Sequence, residues 1–249
     1  MSPSKTRAPK PSSKMAIEGL SNKPWLLLPG TLCTGAVFDG FLDELGVAHS
    51  ARTYVTLDRP SIKDYRVDFD GLAKDTIVCS FSLGAIVAAH FADSMTADRL
   101  ILFGLNPYAD DPAKALSRHA LAQDVRTHGG AAALRTRLSD IFGPAPEATQ
   151  AAICQMAEET APLIGAQTHL ALNRPGALPA LKQAAMPVLA ATGTHDQAAP
   201  PLQGEAAAKS APKGQFRTLD GLGHFAPLED PNTCAKMVQN WQEANIEHF

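Results

Sequence analysis

Short apolar runs of strand length alternate along this chain with longer stretches whose apolar residues recur at helical spacing. The short runs predict buried strands at 25–28, 52–57, 76–80, 99–104, 187–192 and 215–219. Strands that alternate with helices in this way are typical of a parallel sheet with both faces covered. We therefore expect an α/β fold, with a mostly parallel sheet and helices on both of its faces.

The strand pattern is absent between residues 107 and 186, where the chain is rich in alanine. Helical patterns separated by Gly and Pro occur there near 113–127, 130–142, 146–159 and 161–171. An all-helical insertion between two strands should stand over the edge of the sheet as a lid. The sequence therefore predicts a core of residues 23–106 and 187–249, with a helical lid of residues 107–186.

The first 22 residues are set apart by composition. Residues 1–14 are basic, rich in Pro and Ser, and almost without apolar side chains, so they cannot offset the entropy of ordering. We expect residues 1–22 to form a disordered basic tail. Two alternatives stay open, namely that Met15 is the natural start and that the tail binds lipid.

Composition narrows the class of protein. With 249 residues, 45% of them hydrophobic, the chain is long enough for one sizeable core. The net charge of −3 does not suggest a nucleic-acid-binding protein, because such proteins usually carry an excess of basic residues. The four cysteines lack metal or redox spacing, and no apolar run has the length of a membrane span. We expect a cytoplasmic protein with reduced, structural cysteines and without a nucleic-acid partner or a membrane span; the oligomeric state is not predicted.

The stretch 76–90 changes its period in the middle. A buried strand runs to Ser80 and a helix begins at Leu83, so that Ser82 lies on an abrupt corner. Such a corner needs small flanking residues, and Ser80 and Gly84 lie two positions before and after it. This is the phase of a nucleophile elbow, in which the N–H of Leu83 can point at a developing oxyanion.

A second loop reaches the same edge of the predicted sheet. The strand at 25–28 ends in Pro29-Gly30-Thr31-Leu32, and the carboxyl ends of parallel strands meet at one edge. A backbone N–H of this loop is the natural second oxyanion donor. We assign it to Thr31, with Leu32 as the alternative.

Two later motifs complete the pattern. Gly193-Thr-His-Asp196-Gln-Ala-Ala-Pro200 follows one late strand, and Gly221-Leu-Gly-His224 follows the last. Together with the elbow, their order resembles that of the α/β-hydrolase superfamily from Trp25 to the C-terminus. The resemblance implies an α/β-hydrolase fold, with Ser82 as nucleophile, Asp196 as acid and His224 as base.

Rival residues for these roles are weaker. His195 adjoins Asp196 and reads as a loop residue, and Asp220 reads as a turn residue. Some members of the superfamily place the acid before the lid, but Asn106 there cannot be an anion. Ser80 is out of phase for the elbow, and Cys79 on the opposite face of the strand reads as core packing.

The resemblance implies hydrolysis of a carboxylic ester or thioester through an acyl-serine intermediate, with no metal or other cofactor. The substrate would be a small molecule or an acyl chain, which could be carried by a partner. Two alternatives stay open, namely a C–C bond hydrolase or lyase on the same residues, and a catalytically silent ligand-binding protein.

The charge of the lid says little about the substrate. Seven basic and seven acidic residues between 107 and 186 cancel. The side chains of Arg118, Arg126, Arg135 and Arg137 could line a pocket for a carboxylate, but solvated surfaces are the favoured interpretation.

Overall fold

Six parallel strands form one sheet in the computed structural model, which describes residues 19–138 and 145–246. The strands are β1 (Trp25–Leu28), β2 (Arg52–Tyr54), β3 (Ile77–Phe81), β4 (Arg99–Phe103), β5 (Val188–Gly193) and β6 (Gly214–Leu219). Their order across the sheet is β2-β1-β3-β4-β5-β6, and every neighbouring pair runs parallel. The predicted parallel sheet is confirmed, although β2 ends at Tyr54 and not at residue 57 as predicted.

Helices connect these strands. They are α1 (Asp39–Glu44), α2 (Arg66–Phe69), α3 (Leu83–Ala89), α4 (Ala115–His128), α5 (Gly130–Arg135), α6 (Glu147–Thr160), α7 (Ile164–Asn173), α8 (Leu178–Leu181), α9 (Pro201–Ser210), α10 (Ala226–Glu229) and α11 (Pro231–Ile246). Helices α4 to α8 lie between β4 and β5, where the described residues contain no strand. We call residues 107–186 the helical segment. Its second predicted helix, 130–142, ends as α5 at Arg135, and the end of that prediction lies outside the described residues.

The sheet is buried on both faces because its strands alternate their side chains between two apolar clusters. In β1, Trp25 and Leu27 pack on one face, while Leu26 and Leu28 pack on the other. The same alternation continues through β3, β4 and β5. The unbroken apolar runs of the sequence therefore encode central strands of a doubly covered sheet.

The strand order reverses at the centre of the sheet. From β1 the chain moves outward to β2 and then returns to place β3 on the other side of β1. The loops that follow β1 and β3 consequently diverge, which leaves a crevice at the carboxyl ends of these two strands. The loop at Gly30 and the corner at Ser82 both lie at this point.

The predicted disordered tail extends too far along the chain. Residues 1–18 lie outside the described residues, but residues 19–21 are helical and Leu20 is fully buried. Its carbonyl accepts a hydrogen bond of 3.1 Å from the indole Nε1 of Trp25. Leu20 thus belongs to the core, a contact that a composition argument does not detect in a stretch with few apolar residues.

The other class predictions concern the cysteines and the membrane. Cys33, Cys79, Cys154 and Cys234 are free thiols and are all buried. Among the residues that the structure describes, every helix is too short or too polar to cross a bilayer.

Candidate active site

Ser82 lies on a strained corner between β3 and α3. Its backbone has φ 52° and ψ −118°, a region that residues other than glycine rarely occupy. The corner is held by hydrogen bonds on both sides, since the Ser82 N–H donates to the Phe103 carbonyl at 2.9 Å and the Ile86 N–H donates to the Ser82 carbonyl at 3.1 Å. The predicted elbow geometry is present, and the surrounding structure enforces it.

Gly84 is required because α3 passes directly against the end of β1. A Cβ atom at this position would lie 2.3 Å from the carbonyl oxygens of both Leu28 and Pro29. These are backbone atoms and cannot swing aside as a flexible side chain would. The small residue that the sequence pattern predicted therefore has a specific steric cause.

His224 and Asp196 complete a chain of hydrogen bonds with Ser82. The Nε2 atom of His224 lies 3.0 Å from Ser82 Oγ, and its Nδ1 atom lies 2.7 Å from Asp196 Oδ2. His224 is 4% exposed and Asp196 is 3% exposed. Because a carboxylate only accepts hydrogen bonds, the Nδ1 atom carries the ring hydrogen and leaves Nε2 to accept from the serine hydroxyl.

The Asp196 carboxylate is oriented by its own loop. Its second oxygen, Oδ1, accepts a hydrogen bond of 2.8 Å from the Ala199 N–H, so that Oδ2 is directed at the imidazole. Gly104, at φ 57°, passes beneath the pair, where a Cβ atom would lie 3.0 Å from His224 Cε1. The end of β4 thus leaves room for the imidazole, because it carries no side chain there.

Glu229 is a half-buried residue beside His224 that the sequence reasoning missed. Its two carboxylate oxygens accept from the N–H groups of Gly223, at 2.6 Å, and Phe225, at 2.9 Å, on either side of His224. Burial raises the pKa of Glu229, and the two backbone donors act against that rise. Glu229 lies only five residues after His224 in the sequence, but that spacing alone indicated no role for it.

The loop after β1 forms a tight turn beside Ser82. The Cys33 N–H donates to the Gly30 carbonyl at 3.2 Å, and Leu32 occupies the positive-φ corner at φ 55°. A Cβ atom on Gly30 would lie 3.0 Å from the Ser82 Cβ atom. The turn therefore brings both predicted donor residues, Thr31 and Leu32, to the nucleophile.

The Leu32 N–H already has an acceptor from the helical segment. It donates at 3.0 Å to Oε1 of Gln167 on α7, a side chain with 1% exposure. The Nε2 atom of the same amide is buried without a hydrogen-bond partner among the described residues. Of the two predicted candidates, Leu32 is thus engaged in this structure.

Leu83 is the first residue of α3, so its N–H has no acceptor within the helix. Both Leu83 and Thr31 line a cavity of about 440 Å³ together with Ser82 and His224. This volume is ordinary for a small-molecule site. The other wall comes from the helical segment, including Arg118 and Arg137.

The rival residues lie where the sequence analysis expected them, with one change among the arginines. His195 and Asp220 are exposed, and Cys79 is fully buried in the core. The interpretation of solvated surfaces holds for Arg126 and Arg135, which are exposed and absent from the cavity lining. It is wrong for Arg118, on α4, and for Arg137, in the turn after α5, because both line the cavity.

Comparison with known proteins agrees with this fold. The profile described as "Alpha/beta hydrolase family" matches residues 25–237. That match includes every strand and all three hydrogen-bonded side chains. The chain belongs to the α/β-hydrolase family. No curated protein sequence matches it significantly.

Solved structures with the same fold include enzymes of more than one activity. A thermophilic esterase from Thermogutta terrifontis is 21% identical, with 90% of each chain covered and a TM-score of 0.74. An enol-lactonase from Burkholderia xenovorans LB400 is 18% identical, with 91% of each chain covered and a TM-score of 0.67. A carboxylesterase from the thaumarchaeon Nitrososphaera gargenis is 14% identical, with 93% of each chain covered and a TM-score of 0.76. At these identities the likeness concerns the fold alone.

Proposed function

We propose that this α/β hydrolase cleaves carboxylic esters or thioesters through an acyl-serine intermediate. The observation that carries the proposal is the continuous hydrogen-bond relay from Ser82 through His224 to Asp196 at the wall of a cavity of ligand size. Esterases and a lactonase among the structural neighbours are consistent with acyl chemistry. Cleavage of an ester is the simplest reaction that uses all three side chains.

In the first half-reaction, Ser82 Oγ attacks the acyl carbon while its proton passes to His224 Nε2. The imidazolium that forms is stabilised by Asp196 through the 2.7 Å bond to Nδ1. The tetrahedral intermediate then collapses, the C–O or C–S bond breaks, and the leaving group takes the proton from Nε2. In the second half-reaction, water attacks the acyl carbon and gives a proton to His224 Nε2. The bond between the acyl carbon and Ser82 Oγ then breaks, Oγ takes the proton back from Nε2, and the acid product leaves.

Charge on the carbonyl oxygen needs preorganised donors. We assign these to the backbone N–H groups of Leu83 and Thr31, because the first has no helical acceptor and the second lines the cavity beside Ser82. The Leu32 N–H is the weaker candidate, since Gln167 already occupies it. Donors of this kind contribute about 10²–10³ in rate.

The helical segment would act as the lid over this chemistry. It contributes one wall of the cavity, and one of its helices contacts the oxyanion loop through Gln167. We therefore propose a division into a core of 23–106 and 187–249 and a lid of 107–186. Closure of such a segment over the acyl group would restrict water at the serine ester.

The proposal is tested with 4-nitrophenyl esters from acetate to laurate on wild type and Ser82→Ala. Wild type should release 4-nitrophenol with a burst, and the Ser82→Ala variant should lose at least about 10⁴-fold in kcat. The preferred chain length would report the depth of the cavity from the serine.

Ser80→Ala is the matched control, because Ser80 lies two residues away but donates to the Ile101 carbonyl inside the sheet. It should retain turnover. Full activity of Ser82→Ala would refute the assignment of the nucleophile. A folded wild type without ester turnover would favour the C–C bond hydrolase or the silent binding protein.

A further inference from the structure

One wall of the cavity carries positive charge, which the proposed reaction does not use. Ser82 and His224 lie on the wall formed by the sheet edge, and basic side chains lie on the wall formed by the helical segment. The basic lining residues are Lys114, Arg118, Arg137 and Arg174. Among the described residues that line the cavity, none is acidic.

Two of these cations share a single carboxylate. Arg118 donates two hydrogen bonds to Asp110, from Nε to Oδ2 at 2.7 Å and from Nη2 to Oδ1 at 2.5 Å. Arg174 donates from Nη1 to the same Oδ1 at 2.8 Å. Burial alone would raise the pKa of Asp110, but the bonds and charges of the two arginines outweigh it and lower that pKa. The carboxylate therefore stays ionised, and the group of three keeps one positive charge.

The other two cations differ in their partners. Arg137 forms an ion pair with Asp124 and donates to the Ala133 carbonyl at 2.6 Å. Lys114 has no acidic partner within residues 19–138 and 145–246. Four cations against two carboxylates leave this wall with an excess of two positive charges.

The Nε–H group of Arg174 lacks a hydrogen-bond acceptor among the described residues. The Arg174 side chain is 1% exposed, so this donor is buried. Buried donors in folded proteins are nearly always satisfied, so this one is expected to bond an ordered water or a bound ligand. An anion in the cavity beside Arg174 would counter the excess charge that surrounds this donor.

We propose that the cavity takes esters that carry a carboxylate remote from the scissile bond, with the ester at Ser82 and the carboxylate at the basic wall. This inference rests on the proposed esterase function. A carboxylate fits better than a phosphate, because the Asp110 carboxylate lies beside Arg118 and Arg174 and repels a dianion more strongly than a monoanion.

The test compares 4-nitrophenyl hydrogen adipate with its neutral methyl ester, which differ only in the remote charge. Wild type should show a kcat/KM at least about tenfold higher for the anion, the scale of one hydrogen bond to a charged group. Lys114→Glu, at an exposed position, should lower the ratio of the two kcat/KM values by a similar factor without endangering the fold. A wild-type ratio of one or less would overturn the inference.

Arg126→Glu is the control variant, because Arg126 is equally exposed and lies on α4 but does not line the cavity. The same charge change there should leave the ratio within about twofold of wild type, since exposed charges beyond a Debye length are screened. If both variants lowered the ratio equally, the preference would come from the net charge of the protein and not from a binding site in the cavity. That result would overturn the inference.

A binding measurement separates this inference from the proposed function. Calorimetry on Ser82→Ala should show tighter binding of monomethyl adipate than of dimethyl adipate, with the preference lost in Ser82→Ala/Lys114→Glu. Such a preference without any wild-type hydrolysis would refute the esterase and retain the anion site. Hydrolysis by wild type without a binding preference would retain the esterase and refute the anion site. Faster turnover of a matched ester with a terminal phosphonate would overturn the choice of a carboxylate.

Discussion

The two walls of the cavity are held in place by different kinds of contact. On the sheet side, backbone atoms fix the geometry, as shown by the φ of 52° at Ser82 and by the two carbonyl oxygens that leave no room for a Cβ atom at Gly84. On the helical side, side-chain ion pairs fix it, as in the bonds of Arg118 and Arg174 to Asp110. The first wall carries the atoms proposed to react, and the second carries charge.

This difference suggests how one fold can serve several substrates. Backbone contacts constrain every substitution near Ser82, whereas an ion pair on the helical segment can be exchanged without moving a strand. We expect the sheet side to control whether the reaction occurs and the helical side to control which substrate reacts. Four substitutions test this division, in order of decreasing effect.

The largest loss of activity is expected for Asp196→Asn. The Ala199 N–H would hold the amide oxygen in the Oδ1 position, so the amide NH₂ would face His224 Nδ1. The imidazole would then carry its hydrogen on Nε2 and could not accept the serine proton. Steady-state kinetics should show kcat reduced about 10⁴-fold with an unchanged melting temperature. A loss of less than tenfold would mean that Asp196 does not orient the base.

Gly84→Val should damage the fold itself, because its Cβ would overlap the carbonyl oxygens of Leu28 and Pro29. Urea unfolding should show a loss of more than about 4 kcal/mol, or no folded protein at all. Gly165→Ala on α7 is the matched control, since a Cβ atom there has nothing within 4 Å. It should raise stability by about 0.5–1 kcal/mol. Equal effects of the two substitutions would contradict the steric argument.

Asp110→Asn should destabilise the helical side by about 3 kcal/mol at neutral pH, because it leaves the buried Arg174 without its counter-charge. The pKa of Asp110 is lowered in the folded state, so the folded protein binds this proton more weakly than the unfolded chain does. The ion pairs therefore contribute fully above the unfolded pKa of about 3.9 and are lost as pH falls through the folded value.

Urea unfolding at pH 7, 5 and 3 tests this sign. The difference in unfolding free energy between wild type and Asp110→Asn should be constant at the two higher values and shrink at the lowest. A difference that is the same at all three values would show that Asp110 does not titrate with folding.

Gln167 links the two walls, because its side chain accepts a hydrogen bond from the Leu32 N–H. The substitution Gln167→Met removes this acceptor while keeping a side chain of similar size. If Thr31 is the oxyanion donor, the loosened loop should lower kcat about tenfold, the cost of one unsatisfied buried N–H. The sign of the change separates the two candidates, since an increase in kcat would identify Leu32 as the donor that Gln167 obstructs. Chain-length preference should stay the same in either case.

Local pattern alone was enough to predict most of the sheet side. Apolar runs of strand length gave five of the six strands within about two residues, and small residues around Ser82 gave the elbow. The roles of Ser82, Asp196 and His224 came from the resemblance of their motifs, each of which follows a strand, to those of the α/β-hydrolase superfamily. These features can be predicted from sequence because they depend on residues close together in the chain. They also depend on the rule that the carboxyl ends of parallel strands lie at one edge of the sheet.

What only the tertiary structure decided are the contacts between residues distant in sequence. Gln167 meets Leu32 across 135 positions, and Arg118 lines the cavity while Arg126, two turns along the same helix, does not. Leu20, in a stretch of low hydrophobicity, is core. Whether a polar side chain on a helix faces solvent or a cavity depends on how that helix docks, and docking is fixed by packing over the whole molecule and not by the local pattern.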